Sequence, residues 1–323
     1  MRFISEEQSA ALVTHEIAFA AAREALVAAA REDTRVFPAV LGHGSSPGNR
    51  FSIKSAATAD AAGLKVGSFW PGNPARGLPR HNSVILLFDQ ETGRINTVVE
   101  AGAVNAYRTA AADAVAASVL ARPDAHTLAV FGAGNQGFHE CAALARVLPI
   151  RRVRVVARDP ARGSAFVERL RGLGLEAETA SARAACEAAD VIVTATPSRA
   201  PLFEAEWVRP GTHVAAIGAD AAGKQELPVA LLERASLFCD LPEQSVAIGE
   251  CQHVAERIAS GALGLRAIGA VLAGTAPGRP SAEAITVFDS SGIALQDLAI
   301  ARAILAKAIA AKAIPARAIP ARA

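Results

Sequence analysis

The sequence predicts an α/β protein built on a doubly wound parallel sheet, with a separate region of antiparallel sheet ahead of it. From Thr127 onward, short apolar runs alternate with helical stretches, the pattern of parallel strands joined by crossover helices. Between Thr34 and Glu100 the runs alternate residue by residue and are broken by Gly, Pro and Asn, which is the pattern of antiparallel strands. A glycine-rich turn, Gly132-Ala133-Gly134-Asn135-Gln136-Gly137, joins a strand to a helix where the alternating region begins.

Composition sets the outer limits. A chain of 323 residues exceeds one ordinary core and suits two domains. With 51% apolar and 20% charged residues, and Lys plus Arg at 33 against Asp plus Glu at 31, neither disorder nor a nucleic-acid partner is indicated. Cys141, Cys186, Cys239 and Cys251 form no CxxC pair, which points to a reducing compartment. The opening MRFISEEQSA is charged where a signal peptide is apolar, and no run approaches the roughly 18 apolar residues of a membrane helix. A cytoplasmic protein with no membrane partner is expected.

The elements follow in order. From Ser5 to Ala30, Leu12, Ile17, Phe19, Ala20, Leu26 and Val27 recur at near-helical spacing behind Glu6 and Glu7, predicting one amphipathic helix. The runs TRVFPAVL, NRFSIKSA, GLKVGSFW, SVILLFD and RINTVVEA are the antiparallel strands, with Asp89–Gly93 as a hairpin turn. After Asn105 a helix, AYRTAAADAVAASVLA, leads to a linker at Arg122–Ala125. LAVFG, RVRVVA, DVIVTAT, HVAAIGA, SLFCD and ITVFDSSG are the parallel strands, and a last helix begins near Ile293. Residues 311–323 form a low-complexity tail in which Pro315 and Pro320 interrupt any helix, so it is expected to fray or stay disordered.

The strand-turn-helix context gives the glycines a reason. Gly132 permits a tight turn, Gly134 lets the backbone approach a pyrophosphate, and Gly137 lets the helix pack closely, with the phosphates on the helix N-terminus. This is a Rossmann-type site for a nicotinamide dinucleotide, with Asn135 and Gln136 in the cradle and Thr196 at the end of DVIVTAT. The second strand ends in VVARDPARG, where Arg158 and Arg162 suit a 2′-phosphate and favour NADP(H) over NAD(H). A strand end shifted by one residue would instead bring Asp159 to the ribose.

Several stretches together resemble the ornithine cyclodeaminase/mu-crystallin family. They are Gly63–Asn73 (GLKVGSFWPGN), Leu78–Gly93, Tyr107–Ala114 (YRTAAADA), Val130–Gly137, Ala216–Leu227 (AIGADAAGKQEL) and Phe288–Ala299 (FDSSGIALQDLA). The resemblance runs from about Arg35 to about Ala308, in the right order. It implies hydride exchange between a nicotinamide and the α-carbon of a small amino or imino acid. It also implies a discontinuous α+β domain for substrate binding and dimerisation, residues 1–121 with 294–310, around a Rossmann domain of residues 122–293. A homodimer is expected, since short strands leave edges that oligomers commonly cover.

The site residues follow from the resemblance. Lys65 stands in an apolar strand, where a lysine by itself reads as outward-facing; it matches the family's active-site lysine, which touches the substrate carboxylate. Arg108, read as opening its helix, suits a carboxylate at a positive helix end. Arg35 matches another carboxylate-binding arginine, with Arg50 as a competitor. Asp220, after HVAAIGA, matches the catalytic aspartate, against the alternative of an Asx turn before Gly223. His81 matches a pocket-lining position. His139 and His253 have no metal-ligand partners at usable spacing, so no metal is expected.

The expected function is an NAD(P)H-dependent imino acid (ketimine) reductase acting on a substrate such as pyrroline-2-carboxylate or iminosuccinate. Ornithine cyclodeaminase is the alternative within the family. There the strand that supplies a glutamate reads RFSIKSA in this chain, with Ser52 near the expected place and Lys54 beside it. A non-catalytic, dinucleotide-dependent binding protein is the alternative from another class, and the retention of Lys65, Arg108 and Asp220 speaks against it.

Overall fold

The computed structural model describes residues 1–314, so the expectation for most of the tail lies outside the described residues. The chain divides into two compact units: Met1–Arg108 with the chain from Ile293 onward, and Thr109–Gly292.

The first unit opens with β1 (Arg2–Ile4), α1 (Glu6–Leu12) and α2 (His15–Ala29). The expected single helix from Ser5 to Ala30 is therefore two. Val13 is extended, ending α1, and the Thr14 side chain accepts from the amide of Ile17 to start α2, which satisfies an amide that a continuous helix would have bonded itself. The strands β2 (Arg35–Val36), β3 (Val40–His43), β4 (Arg50–Ala57), β5 (Ala62–Phe69), β6 (His81–Phe88) and β7 (Ile95–Glu100) follow. They pair in the order β1-β7-β6-β5-β4-β2, with β3 also on β4. All these pairings are antiparallel except β1 on β7.

The helix α3 (Gly102–Leu120) leaves this sheet. Its start explains a correction: Arg108 does not open the helix but lies in its second turn. The free amides of the first turn, Gly102 and Ala103, donate to the Glu6 carboxylate at 2.7 Å each. A side chain nearly a hundred positions upstream thus takes the positive end of the helix dipole, and Arg108 must act by its own charge.

The second unit contains β8 (Thr127–Phe131), α4 (Asn135–Val147), β9 (Arg152–Val156), α5 (Pro160–Arg171), β10 (Glu176–Thr179), α6 (Ala182–Ala188), β11 (Val191–Thr194) and β12 (His213–Ala216). It continues through α7 (Val229–Arg234), β13 (Ser236–Cys239), α8 (Pro242–Ile248), α9 (Ala255–Ala259), β14 (Leu265–Ala267), α10 (Ile268–Leu272) and β15 (Thr286–Asp289). The strands form one parallel sheet in the order β10-β9-β8-β11-β12-β15-β13-β14. Strand alternation sends Leu128 and Val130 to the face packed by Cys141, Leu144, Phe166 and Leu170. Ala129 and Phe131 go to the face packed by Ala185, Leu231 and Leu232. Both faces are buried, as a doubly wound sheet requires. The strand order reverses between β8 and β11, so their carboxyl ends form the switch point where such sheets bind ligands.

The last helix, α11 (Ala294–Ala310), belongs to the first unit. It packs on α2 and on the face of β5 that carries Gly63 and Lys65. A Cβ on Gly63 would lie 2.9 Å from Cδ2 of Leu298, so glycine permits that close approach.

Candidate active site

Lys65 is buried at 4% exposure in the middle of β5. Its ammonium donates to Asp297 Oδ1 at 3.0 Å and to Asn105 Oδ1 at 3.2 Å. Arg108, also buried, lies with its Nε 3.1 Å from the same Asp297 oxygen. Its Nη2 donates to Asn105 Oδ1 at 2.7 Å and its Nη1 to Gln296 Oε1 at 3.1 Å. The lysine and the arginine singled out in the sequence are thus one cluster, and the outward-facing reading of Lys65 does not apply. Asn105 and Arg108 project from neighbouring turns of α3, and Gln296 and Asp297 from the first turn of α11.

The cluster carries more positive than negative charge. Burial, and next the Arg108 guanidinium, push the Lys65 ammonium down from 10.5 to about 7, against the pull of Asp297. For Asp297 burial opposes ionisation, but Arg108 and Lys65 outweigh it and hold the carboxyl below its ordinary range. Lys54 adds to both effects. It pairs in register with Lys65 on the neighbouring strand, so both point to the same face. One carboxylate therefore faces Lys54, Lys65 and Arg108. Two polar atoms here, Oδ2 of Asp297 and Nε2 of Gln296, are buried with no hydrogen-bond partner among the described residues. Such a site retains a cationic surplus and a spare amide donor, the capacity that an incoming carboxylate would use.

Gly67 leaves room beside this cluster. A Cβ there would meet Ser52 Oγ at 3.6 Å, Lys65 Cε at 3.9 Å and His81 Cε1 at 4.0 Å. His81 is thus near Lys65, at the exposed start of β6. Arg35 is not brought to the cluster. It is exposed, pairs with Ala57 at the far end of β4, and its guanidinium turns back to the carbonyls of Glu32 and Thr34. Arg50 pairs with Phe69 at the opposite end of β4.

In the second unit, Gly132 has φ +115°, and a Cβ on it would lie 2.6 Å from the Ala195 carbonyl oxygen. A Cβ on Gly137 would lie 2.3 Å from the Gly132 carbonyl oxygen. Gly134 has open space around its Cβ direction and caps α4 without a side-chain hydrogen bond. A glycine at the cap thus brings no side chain of its own to the start of α4. This fits a pyrophosphate cradle at a helix N-terminus. The Gln136 side chain donates to Glu140 at 2.7 Å.

The strand end left open by the sequence is arranged as follows. Asp159 is the N-cap of α5, its Oδ1 accepting from the amides of Ala161 at 3.0 Å and Arg162 at 3.3 Å. Arg158 is exposed immediately before it. The Gly132 amide donates to the Val156 carbonyl, which keeps the end of β9 beside the glycine turn. Thr196, two residues past β11, has its hydroxyl and its amide hydrogen-bonded to Glu226, each at 2.6 Å. Asp220 is exposed on the loop after β12 and ion-paired with Lys224, whose ammonium also donates to the Gly218 carbonyl at 3.1 Å. His253 bonds the Lys224 carbonyl at 2.8 Å.

The sequence reading missed Asp297, Gln296 and Asn105. A signal was present: Gln296-Asp297 interrupts ALQDLAIARAIL, a helix otherwise apolar almost all round, where a buried polar pair needs partners.

The whole-chain pattern matches the model of one family over residues 13–312. The chain belongs to the ornithine cyclodeaminase/mu-crystallin family. The iminosuccinate reductase of Paracoccus denitrificans is 39% identical over 312 residues, covering 94% of this chain and 95% of that protein. Its crystal structure in complex with NAD+ superposes with a TM-score of 0.89 at 38% identity, covering 97% of each chain. An archaeal alanine dehydrogenase dimer with bound NAD gives a TM-score of 0.89 at 34% identity, again covering 97% of each chain. The doubly wound fold is therefore shared with these NAD-bound relatives.

Proposed function

We propose that this member of the family is an NAD(P)H-dependent imino acid reductase, and that its substrate is a small dicarboxylic imino acid such as iminosuccinate. The observation that carries this reading is the buried Lys65–Asp297–Arg108 cluster with Lys54 beside it. One carboxylate among these cations leaves charge for an anionic substrate. A protonated side-chain amine, which ornithine would present, meets a lysine at this strand instead of a glutamate. A cyclic imino acid such as pyrroline-2-carboxylate satisfies part of the surplus and is the second reading.

The residues have distinct tasks. Lys65 and Arg108 hold the α-carboxylate, and the amide donor of Gln296 suits one of its oxygens. The Gly132–Gly137 turn would hold a nicotinamide dinucleotide, which when bound would serve as the hydride donor for reduction of the imine. A protonated Lys65 is able to give a proton to the imine nitrogen near neutral pH. We likewise assign proton handling to Asp220 and substrate contact to His81.

The test is a panel of imino acids formed in situ from 2-oxo acids and ammonia, together with cyclic imines, followed by oxidation of NADPH or NADH. Ornithine-dependent ammonia release is measured alongside. The dicarboxylic imine should give the highest kcat/KM. Ammonia release from ornithine without imine reduction would overturn the reading.

The cofactor preference we infer is NADP(H). Asp159 caps α5 through its Oδ1, and the exposed guanidinium groups of Arg158 and Arg162 on either side of it are cations suited to a 2′-phosphate. Arg158→Ala should weaken NADPH binding by roughly tenfold and NADH binding little. Equal effects on both, in fluorescence titrations, would remove the assignment.

We infer a homodimer formed through the sheet of the first unit. Lys65 faces α11, so the next residue, Val66, faces the other way by strand alternation, and it is 37% exposed. Val66 pairs with Ile53 and Val84, placing apolar side chains together on that face. A second copy would cover them. Light scattering should give twice the chain mass at micromolar concentration. A monomer would refute this.

A further inference from the structure

The loops that follow β11 and β12 in the second unit meet at one buried side chain, Glu226. It is fully buried and has no cation among its hydrogen-bond partners within the described residues. Its Oε1 accepts from the amide and the hydroxyl of Thr196, each at 2.6 Å, and its Oε2 accepts from the Gly218 amide at 2.8 Å. One carboxylate thus ties the loop after β11 to the loop after β12, two residues before Asp220. The loop after β8 leans on the first of these: Gly132 is so close to residues 195 and 196 that a Cβ on it would lie 2.6 Å from the Ala195 carbonyl oxygen and 3.2 Å from Thr196 Cγ2.

The fit is tight on the β12 side too. A Cβ on Gly218 would lie 2.3 Å from Oε2 of Glu226 and 2.3 Å from the Thr196 carbonyl oxygen. The backbone behind Glu226 is itself fixed, because Glu250 accepts from the amides of Glu226 at 2.7 Å and Leu227 at 3.1 Å. Burying a carboxylate on neutral hydrogen-bond donors alone is costly, and burial does push the Glu226 carboxyl above its usual range. That cost is sustained where it holds geometry at the switch point of the sheet, the place at which such sheets take their ligand.

We propose that Glu226 is a positioning residue, a brace that locks the loops after β11 and β12 together and supports the Gly132 turn, so that the dinucleotide cradle is formed before the dinucleotide arrives. This rests on the dinucleotide reading of that cradle given above.

Glu226→Gln is the decisive variant. The amide keeps the size of the side chain but has one acceptor oxygen, so it can hold the Thr196 loop or the Gly218 loop and must present a donor to the other. Displacing positioning loops by a fraction of an ångström is expected to raise the Kd for NADPH and NADH about tenfold and to lower kcat by a similar factor. KM for the imino acid should change less than about twofold, since the Lys65 cluster is untouched. A role limited to stability would lower the melting temperature and leave these values at wild type in the folded protein. A folded Glu226→Gln protein with wild-type Kd and kcat would overturn the proposal.

If Glu226→Gln fails to fold, Thr196→Val serves, because it removes the hydroxyl bond and keeps the amide bond at a half-buried position. A Kd raised about threefold is then expected, and a wild-type Kd would overturn the brace. The two readings separate cleanly. A wild type that reduces imino acids while both variants bind dinucleotide normally leaves the reductase standing and removes the brace. Wild-type protein that binds dinucleotide but reduces no imine removes the reductase reading, and the brace is then judged on Kd alone.

Discussion

Lys65→Ala is expected to lower kcat/KM for the imino acid by about two to three decades. The truncation leaves the substrate carboxylate poorly paired in a buried site, a loss of roughly 2–5 kcal/mol. Dinucleotide affinity should be unchanged, because the glycine turn belongs to the other unit. The pH dependence gives a second readout. The binding form of Lys65 is protonated, and burial with the Arg108 charge brings its pKa to about 7 in the free protein. The pH profile of kcat/KM should therefore fall above about pH 7 in the wild type, and Lys65→Arg should lose that limb because arginine keeps its charge. Stability moves in the opposite sense. The unfolded chain binds more protons at Lys65 between pH 7 and its ordinary 10.5, so the lysine's penalty on folding is full below that window and is relieved as pH rises through it. Wild-type activity in a folded Lys65→Ala protein would remove Lys65 from the site.

Asp297→Asn should be the more damaging change for stability. Its carboxylate lies 3.0 Å from the Lys65 ammonium and 3.1 Å from Arg108 Nε, all three groups being buried. Removing the shared partner leaves buried cations uncompensated, at a cost of about 3–5 kcal/mol. Denaturant unfolding below about pH 7, where Lys65 is charged in the folded protein, measures it. The loss should shrink toward pH 10, where Lys65 is neutral in the folded protein in any case. The variant also loses the attraction that raises the Lys65 pKa, so the falling limb of kcat/KM should move to lower pH. An Asp297→Asn protein with wild-type stability and an unmoved limb would show that the carboxylate does not bridge the pair.

These two predictions differ in how far the sequence anticipated them. Lys65 was legible only because the surrounding motif, GLKVGSFWPGN, resembles a family; by itself a lysine in that strand reads as outward-facing. Its partner was not, because Asp297 is 232 residues away and nothing in the local pattern says which carboxylate will meet which cation. Arg108 was identified for its charge, but the dipole argument failed because Glu6 reaches the helix start first. Arg35 shows the converse: a residue matched through its motif whose guanidinium is taken by nearby carbonyls.

By itself, the sequence determined what short-range chemistry governs. Gly132, at φ +115° and within 2.6 Å of a carbonyl as it would stand with a Cβ, admits no other residue without strain, so the turn and the cradle are written in the chain. The alternation of apolar strands and helices likewise determined a parallel doubly wound sheet, because such strands must be buried on both faces. The tertiary structure alone decided the order of the strands, placing the last one, β15, between β12 and β13. It alone decided that Gln296 and Asp297 close the Lys65 site, and that Glu226 binds two loops together. Those pairings depend on how distant elements pack, and a buried charge finds its partner only after packing has removed the water that would otherwise have served it.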